Sequence, residues 1–219
     1  MGFHLPNGSV LKVGSELGQA IEVTAVTNAK NAVLTLSGSD VIKGDVVMLK
    51  SGWTALDNMV ALVTDVSGSD ITLGGVDTSN VAIFTAGSGV GSLQVVNKWI
   101  EIPQITEVNA SGGEQNYYQF QFLSDDQQRS LPTYKSARTQ AYTIAHDNSQ
   151  PFYAVLKAAD LASDVTPMSM YVPKAKETRY WAATPSFNGE PNPVVNQIET
   201  VTASFAVQSK AMTFYADAE

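Results

Sequence analysis

Hydrophobic and polar residues alternate along most of this chain, in short stretches separated by Gly, Ser, Asn and Asp. Val23-Thr24-Ala25-Val26-Thr27 sets the pattern, β-branched and of period two. Ala32 to Leu36, Asp45 to Leu49 and Met59 to Val66 repeat it, and Ile71-Thr72-Leu73 follows the turn-like Ser67-Gly68-Ser69-Asp70. Such short, evenly spaced strands predict a small barrel or sandwich, one compact β-module over residues 23–95. Trp99 to Ile105 reads as a long strand whose Pro103 favours an edge or a bulge. Tyr117 to Phe122 and Thr139 to Ile144 read as the arms of a hairpin. Between them Ser124 to Arg138 is polar and charged, with no helical period and no tight turn. A hairpin reverses in two to five residues. A far longer loop without structure of its own is usually functional, as a lid or as a surface for a partner.

One segment follows a different period. Phe152, Val155, Leu156 and Ala159 fall at i, i+3, i+4 and i+7, an apolar stripe on a helix running from Ser149 to Ala162. Ser149 suits its N-cap, and Pro151 its first turn, where a missing N–H costs little. A lone amphipathic helix among strands packs on one face of a sheet. Strands are expected again at Met168 to Val172 and Arg179 to Thr184. The clearest alternation is Glu199 to Gln208: Val201, Ala203, Phe205 and Val207 share one face, Thr200, Thr202, Ser204 and Gln208 the other. The first face is core. The second is polar yet almost uncharged, which suits a wetted wall or a contact surface as well as an ordinary exposed face. No internal repeat is present, against a solenoid or propeller.

Composition narrows the choice. The chain has 219 residues, 44% hydrophobic and only 16% charged, against about a quarter in typical domains. It is therefore globular, with much surface suited to touching other protein. A formal net charge of −8 and a pI near 4.7 argue against a nucleic-acid grip, which needs clustered Lys and Arg. There is no cysteine, so no disulfide framework, zinc–cysteine site or thiol nucleophile; this fits an intracellular folding compartment. The N-terminal stretch lacks the form of a secretory signal, and no apolar run is long enough for a membrane span.

Candidate chemistry is sparse. Gly87-Ser88-Gly89-Val90-Gly91 lacks the spacing of a dinucleotide fingerprint and any Gly-Lys-Ser/Thr ending, and reads as a flexible linker or turn. His146-Asp147 has no nucleophile or G-x-S-x-G elbow to serve, and reads as the turn that starts the helix. Asp125-Asp126 lacks EF-hand spacing and reads as a loop tip. Asp57-Asn58 and Asp77 read as turns, Trp53 and Trp99 as core or interface. Arg129, Lys135 and Arg138 share their loop with Asp125 and Asp126, a mixture that suits complementary charge across a protein contact. Nothing asks for a reaction or a cofactor. The chain reads as a building block rather than an enzyme.

The run Gly2-Phe3-His4-Leu5-Pro6-Asn7-Gly8-Ser9-Val10-Leu11-Lys12-Val13-Gly14 resembles the start of major tail tube proteins from long-tailed, non-contractile (siphovirus-type) bacteriophages. So does Ser111-Gly112-Gly113-Glu114-Gln115 leading into Tyr117–Phe122 and Asp125-Asp126, as does the order of strand, short helix and closing strands. The resemblance spans residues 1–22 and 96–219. It implies a mainly β fold: a β-sandwich or barrel core of the tail-tube type with one flanking α-helix, plus an inserted small β-module at 23–95, expected on the tube exterior. It implies homohexameric rings stacked helically into a conduit for genomic DNA, which passes without sequence-specific binding. Its further implied partners are tail tip and tail-terminator proteins and a tape-measure protein in the lumen. The implied setting is the virion tail, assembled in the host cytoplasm with no membrane insertion. By the same resemblance, the 123–138 loop, with Asp125, Asp126, Arg129, Lys135 and Arg138, meets the neighbouring ring and orders on assembly. Candidate lumen residues are Glu101, Gln104, Gln119, Gln121, Thr200, Thr202 and Ser204. Two rivals stay open: a decoration or tail-terminator protein that remains a monomer or single ring, and a β-rich enzyme of the jelly-roll kind. The second would need paired carboxylates, which the sequence does not place.

Overall fold

The computed structural model describes residues 4–38 and 40–217; Gly2 and Phe3 of the N-terminal motif lie outside them. The strands are β1 (Val10–Leu17), β2 (Ile21–Val26), β3 (Val33–Leu36), β4 (Val46–Ser51), β5 (Val60–Ser67), β6 (Asp70–Leu73), β7 (Gly91–Ile102) and β8 (Ile105–Ser111). Then come β9 (Gln115–Phe120), β10 (Arg129–Lys135), β11 (Thr139–Ala145), helix α1 (Phe152–Ala162), β12 (Thr166–Val172), β13 (Glu177–Asn192), β14 (Thr200–Val207) and β15 (Thr213–Ala216). All pairings are antiparallel, and the fold is mainly β with a sandwich core, as the alternating pattern predicts.

Strands β2-β3-β6-β5-β4-β7 form a barrel, which β2 closes by pairing with the start of β7. Its interior is filled by Val23, Leu34, Val47, Leu49, Trp53, Val63, Ile71, Leu73 and Leu93. The Trp53 indole donates to Thr85 O at 2.8 Å. The Gly87–Gly91 run, expected as a flexible linker or turn, is a packed turn: Gly89 lies against the Trp53 ring, where a Cβ would collide, and Ser51 Oγ donates to its carbonyl at 2.9 Å.

Strand β7 does not stop at the barrel. Its second half pairs with β1, which pairs with β12, and β12 with the first half of β13. β15 borders β13 on its other side. The second half of β13 pairs with β14, then β11, then β8, making a second sheet. The expected single strand Trp99–Ile105 is instead broken at Pro103-Gln104, where Gln104 has φ 59. The break turns the chain from β7 in the first sheet to β8 at the edge of the second. Leu11, Val13, Ile102, Tyr142, Ile144, Met168, Trp181, Val201, Ala203 and Phe205 fill the sandwich, and Phe152, Tyr153 and Leu156 of α1 join them.

Ser149 is not the N-cap. Its hydroxyl and N–H donate to Asp147 Oδ1 at 2.6 and 3.0 Å, and Pro151 takes the cap position without a side-chain bond. Barrel and sandwich meet at Val46, Met48, Val60, Val96 and Ala182. β15 clasps the joint: Tyr215 Oη accepts from Leu62 N at 3.0 Å and donates to Gly74 O at 2.8 Å.

Candidate assembly surfaces

The stretch expected as a structureless loop between paired arms is itself folded. Tyr117–Phe122 does not pair with Thr139–Ile144; β9 pairs with β10, while β8 pairs with β11. The four strands form one long hairpin whose outer half leaves the sandwich at Gly112-Gly113. Both glycines have positive φ, 83 and 88. Gly113 N donates to Ser136 O at 3.1 Å and Ser136 N to Glu114 O at 2.9 Å, tying the arms at the kink.

Pleating gives this hairpin two unlike faces. Tyr118 faces Leu131 and Phe120 faces Arg129 across the strands. Tyr118 and Phe120 stack at 6.3 Å, Phe122 meets Phe120 edge-on at 5.2 Å, and the Arg129 guanidinium covers Phe122 at 5.8 Å. The opposite face carries Gln119 opposite Ser130 and Tyr117 opposite Pro132. Every residue of β10 is exposed, and Tyr118, Phe122 and Leu131 are each more than half exposed. Exposed apolar groups in one patch mark a contact surface. Their signal was present in Tyr118, Phe120 and Phe122 at alternate positions.

The charged residues expected at the neighbouring ring divide. Asp125 Oδ2 accepts from Arg129 Nη2 at 2.7 Å and Nε at 3.1 Å, which stiffens the tip. Asp126 is exposed beside them, and Lys135 ends β10. Arg138 lies apart, at the hairpin base, donating to Ser209 O at 2.5 Å and Lys210 O at 3.1 Å.

The expected lumen residues divide too. Thr200, Thr202 and Ser204 lie on the outer face of the second sheet. There Thr202 neighbours Thr143 and Asn188, and Ser204 neighbours Ala141 and Ser186. Glu107, Asn109 and Ser111 extend that face onto β8. Among these paired positions Glu107 alone is ionisable. Glu101 lies elsewhere, on the outer face of the first sheet beside Lys12. Gln104 sits in the bend, its carbonyl accepting from Ala145 N at 3.0 Å. Gln119 and Gln121 are on the hairpin, and Gln121 Nε2 donates to Asp125 O at 2.8 Å. The seven therefore do not share one surface.

Edges complete the inventory. Among the described residues β8 pairs only with β11, which leaves its other edge without a strand partner there. The far edge of the same sheet is shielded by α1, where Asp160 Oδ2 accepts from Phe187 N at 3.2 Å.

Chemistry is lean here. His146 Nδ1 lies 2.8 Å from Tyr153 Oη, a side-chain link between the start of α1 and the chain before it. Hydrogen bonds from Ser149 and Gln150 hold the Asp147 carboxyl below its ordinary pKa. No cluster suited to a metal occurs among the described residues. No helix among them is long and apolar enough to cross a membrane.

A family model described as "Phage tail tube protein, TTP" matches residues 51–217. The match begins at the last residue of β4, so it takes in part of the barrel, the sandwich and the hairpin. Tail tube proteins are structural components of the virion tail that assemble with themselves and with other tail proteins, and they are not enzymes. A search of curated proteins returns no match. With about three quarters of its length inside that match, the chain belongs to the phage tail tube protein family.

Proposed function

We propose that six copies of this chain close into a ring, that rings stack helically, and that the resulting channel delivers genomic DNA from capsid to cell. The observation that carries this reading is the outer face of the second sheet. It is broad, rich in hydroxyl and amide groups, and carries no base and a single acid among its paired positions. Retaining DNA requires basic groups that neutralise phosphate. A wall without them lets a polyanion slide, and Thr200, Thr202 and Ser204 are the side chains we assign to the channel.

We further assign residues 1–22 and 96–219 to the tube body and 23–95 to a barrel on the exterior. The barrel packs on the outer face of the first sheet, across the sandwich from the polar wall, which supports that division. The edge of β8 away from β11 offers a neighbour's backbone groups a ladder to join, and a rotationally closed, heterologous contact buries such edges. The hairpin supplies the contact between rings. A tape-measure protein would fill the channel before DNA, tip and terminator proteins would cap the ends, and assembly would take place in the host cytoplasm. A decoration or terminator protein that never stacks would leave the aromatic face of the hairpin in water, which disfavours that alternative.

Negative-stain electron microscopy of the purified protein, with its solution mass at low and high concentration, tests this. Hollow tubes with a regular axial repeat or six-fold rings are expected. Single rings that never stack at any concentration would favour the terminator alternative.

A further inference from the structure

Two features at opposite ends of strand β8 are complementary. At roughly 3.3 Å per residue, β8 is about 20 Å long and the hairpin reaches on the order of 30 Å beyond its end. The hairpin tip presents Phe122 and Leu123, both more than half exposed, followed by Asp125, which Arg129 pairs at 2.7 Å, and the exposed Asp126. The start of β8 borders an open cavity of about 560 Å³, lined by the apolar Leu11, Ile105, Val108 and Met170 together with the polar Thr106 and the acid Glu107. Pro6, another of its lining residues, also lines an adjoining recess with Val172, Glu177 and Arg179, the last two ion-paired at 2.7 Å. Between Val172 and Arg179 the β12–β13 turn projects Lys174 and Lys176, both exposed. The tip is thus apolar and net acidic, two carboxylates against Arg129, and the cavity is largely apolar with net basic surroundings, Lys174, Lys176 and Arg179 against Glu107 and Glu177.

We propose that the hairpin tip of one copy seats Phe122 and Leu123 in this cavity of a second copy, with Asp126 facing the Lys174–Lys176 turn. This rests on the stacking reading above and names the receptor for the hairpin. Donor and receptor occupy opposite ends of one strand, so the contact cannot close within a chain. Because the two surfaces differ, it is heterologous and propagates from copy to copy. Apolar insertion gives the contact its hold, and the charges set its register and speed of encounter.

The chain has no cysteine, which makes the test clean. Leu123→Cys and Val108→Cys, both at exposed positions, are placed together in the full-length protein. On mild oxidation we expect a ladder of dimers, trimers and higher species that collapses on reduction, whereas each single variant stops at dimers. Lys174→Glu with Lys176→Glu should slow ladder formation about tenfold, and adding Asp126→Lys should restore part of it. Circular dichroism confirms that each variant is folded. Dimers only, or a ladder indifferent to charge reversal, would overturn the proposal. Tubes by electron microscopy without a ladder overturn this contact and leave the tube reading standing. A ladder without tubes does the reverse.

Discussion

Gly112 and Tyr142 show how single residues hold this structure. Gly112 has φ 83, and a Cβ there would collide with the Ala137 carbonyl. Left-handed backbone costs an L residue about 1–2 kcal/mol before any clash. Gly112→Ala should therefore destabilise the chain by at least about 2 kcal/mol. At roughly 2–4 °C per kcal/mol for a chain of this size, calorimetry should show Tm falling by several degrees. Tyr142 is 1% exposed and meets Phe205 edge-on at 5.6 Å. Burial pushes its phenol from 10.0 up to about 12, and burial also raises Tyr180 and Tyr215. These groups ionise more easily in the unfolded chain, so their contribution is complete below pH 10.0 and is lost at higher pH, that of Tyr142 as pH rises towards about 12. Tyrosinate absorbance and far-ultraviolet circular dichroism should change together in that window. Complete titration near the ordinary value with the fold intact would contradict this.

Elements separate stability from assembly. Leu156 of α1 is fully buried in the sandwich, and Leu156→Ala should cost about 2–5 kcal/mol in denaturant unfolding. Tyr118 and Leu131 are both more than half exposed and belong to none of the buried clusters among the described residues. Changing both to Ser should leave Tm within a degree or two of the parent while tube formation, followed by light scattering, is lost. Strands β11 and β14 and the stripe of α1 were legible in the sequence because each has one wetter and one drier face, which imposes a period; β1, β8 and β15 were not, and β8 is exposed along nearly all its length. Strand β10 was not, because all of it is exposed and no core demands alternation from Arg129 to Lys135. The true partner of Tyr117–Phe122 was hidden for the same reason. Pro103 signals an irregularity in the sequence, but the full change of sheet beyond it does not show there, because it depends on Gln104 adopting a positive φ that Gln rarely takes, with its carbonyl held by the Ala145 N–H. Ser149 fits a cap by type, yet the neighbouring Asp147 is the stronger acceptor and claims its hydroxyl.

At the scale of the whole molecule, barrel, sandwich and hairpin divide the work. The barrel covers one outer face, the hairpin reaches beyond the sheet, and the polar wall stays open. Which residues share the wall depends on how β13 and the β7–β8 bend join the sheets, and no local pattern reports that. This explains why Thr202 and Glu101, both polar positions on alternating strands, end on different faces. A wall without bases implies that Thr202→Lys with Ser204→Lys should still assemble but retain DNA in a salt-dependent manner. Particles carrying it should eject more slowly at low salt, which fluorescence of released DNA would follow. The most direct measurement is a helical reconstruction of assembled tubes by cryo-electron microscopy, at a resolution that traces side chains. The account predicts Thr200, Thr202 and Ser204 facing the channel, with the barrel of residues 23–95 on the outside. A map with the barrel inward, or with Glu101 and its sheet lining the channel, would contradict it.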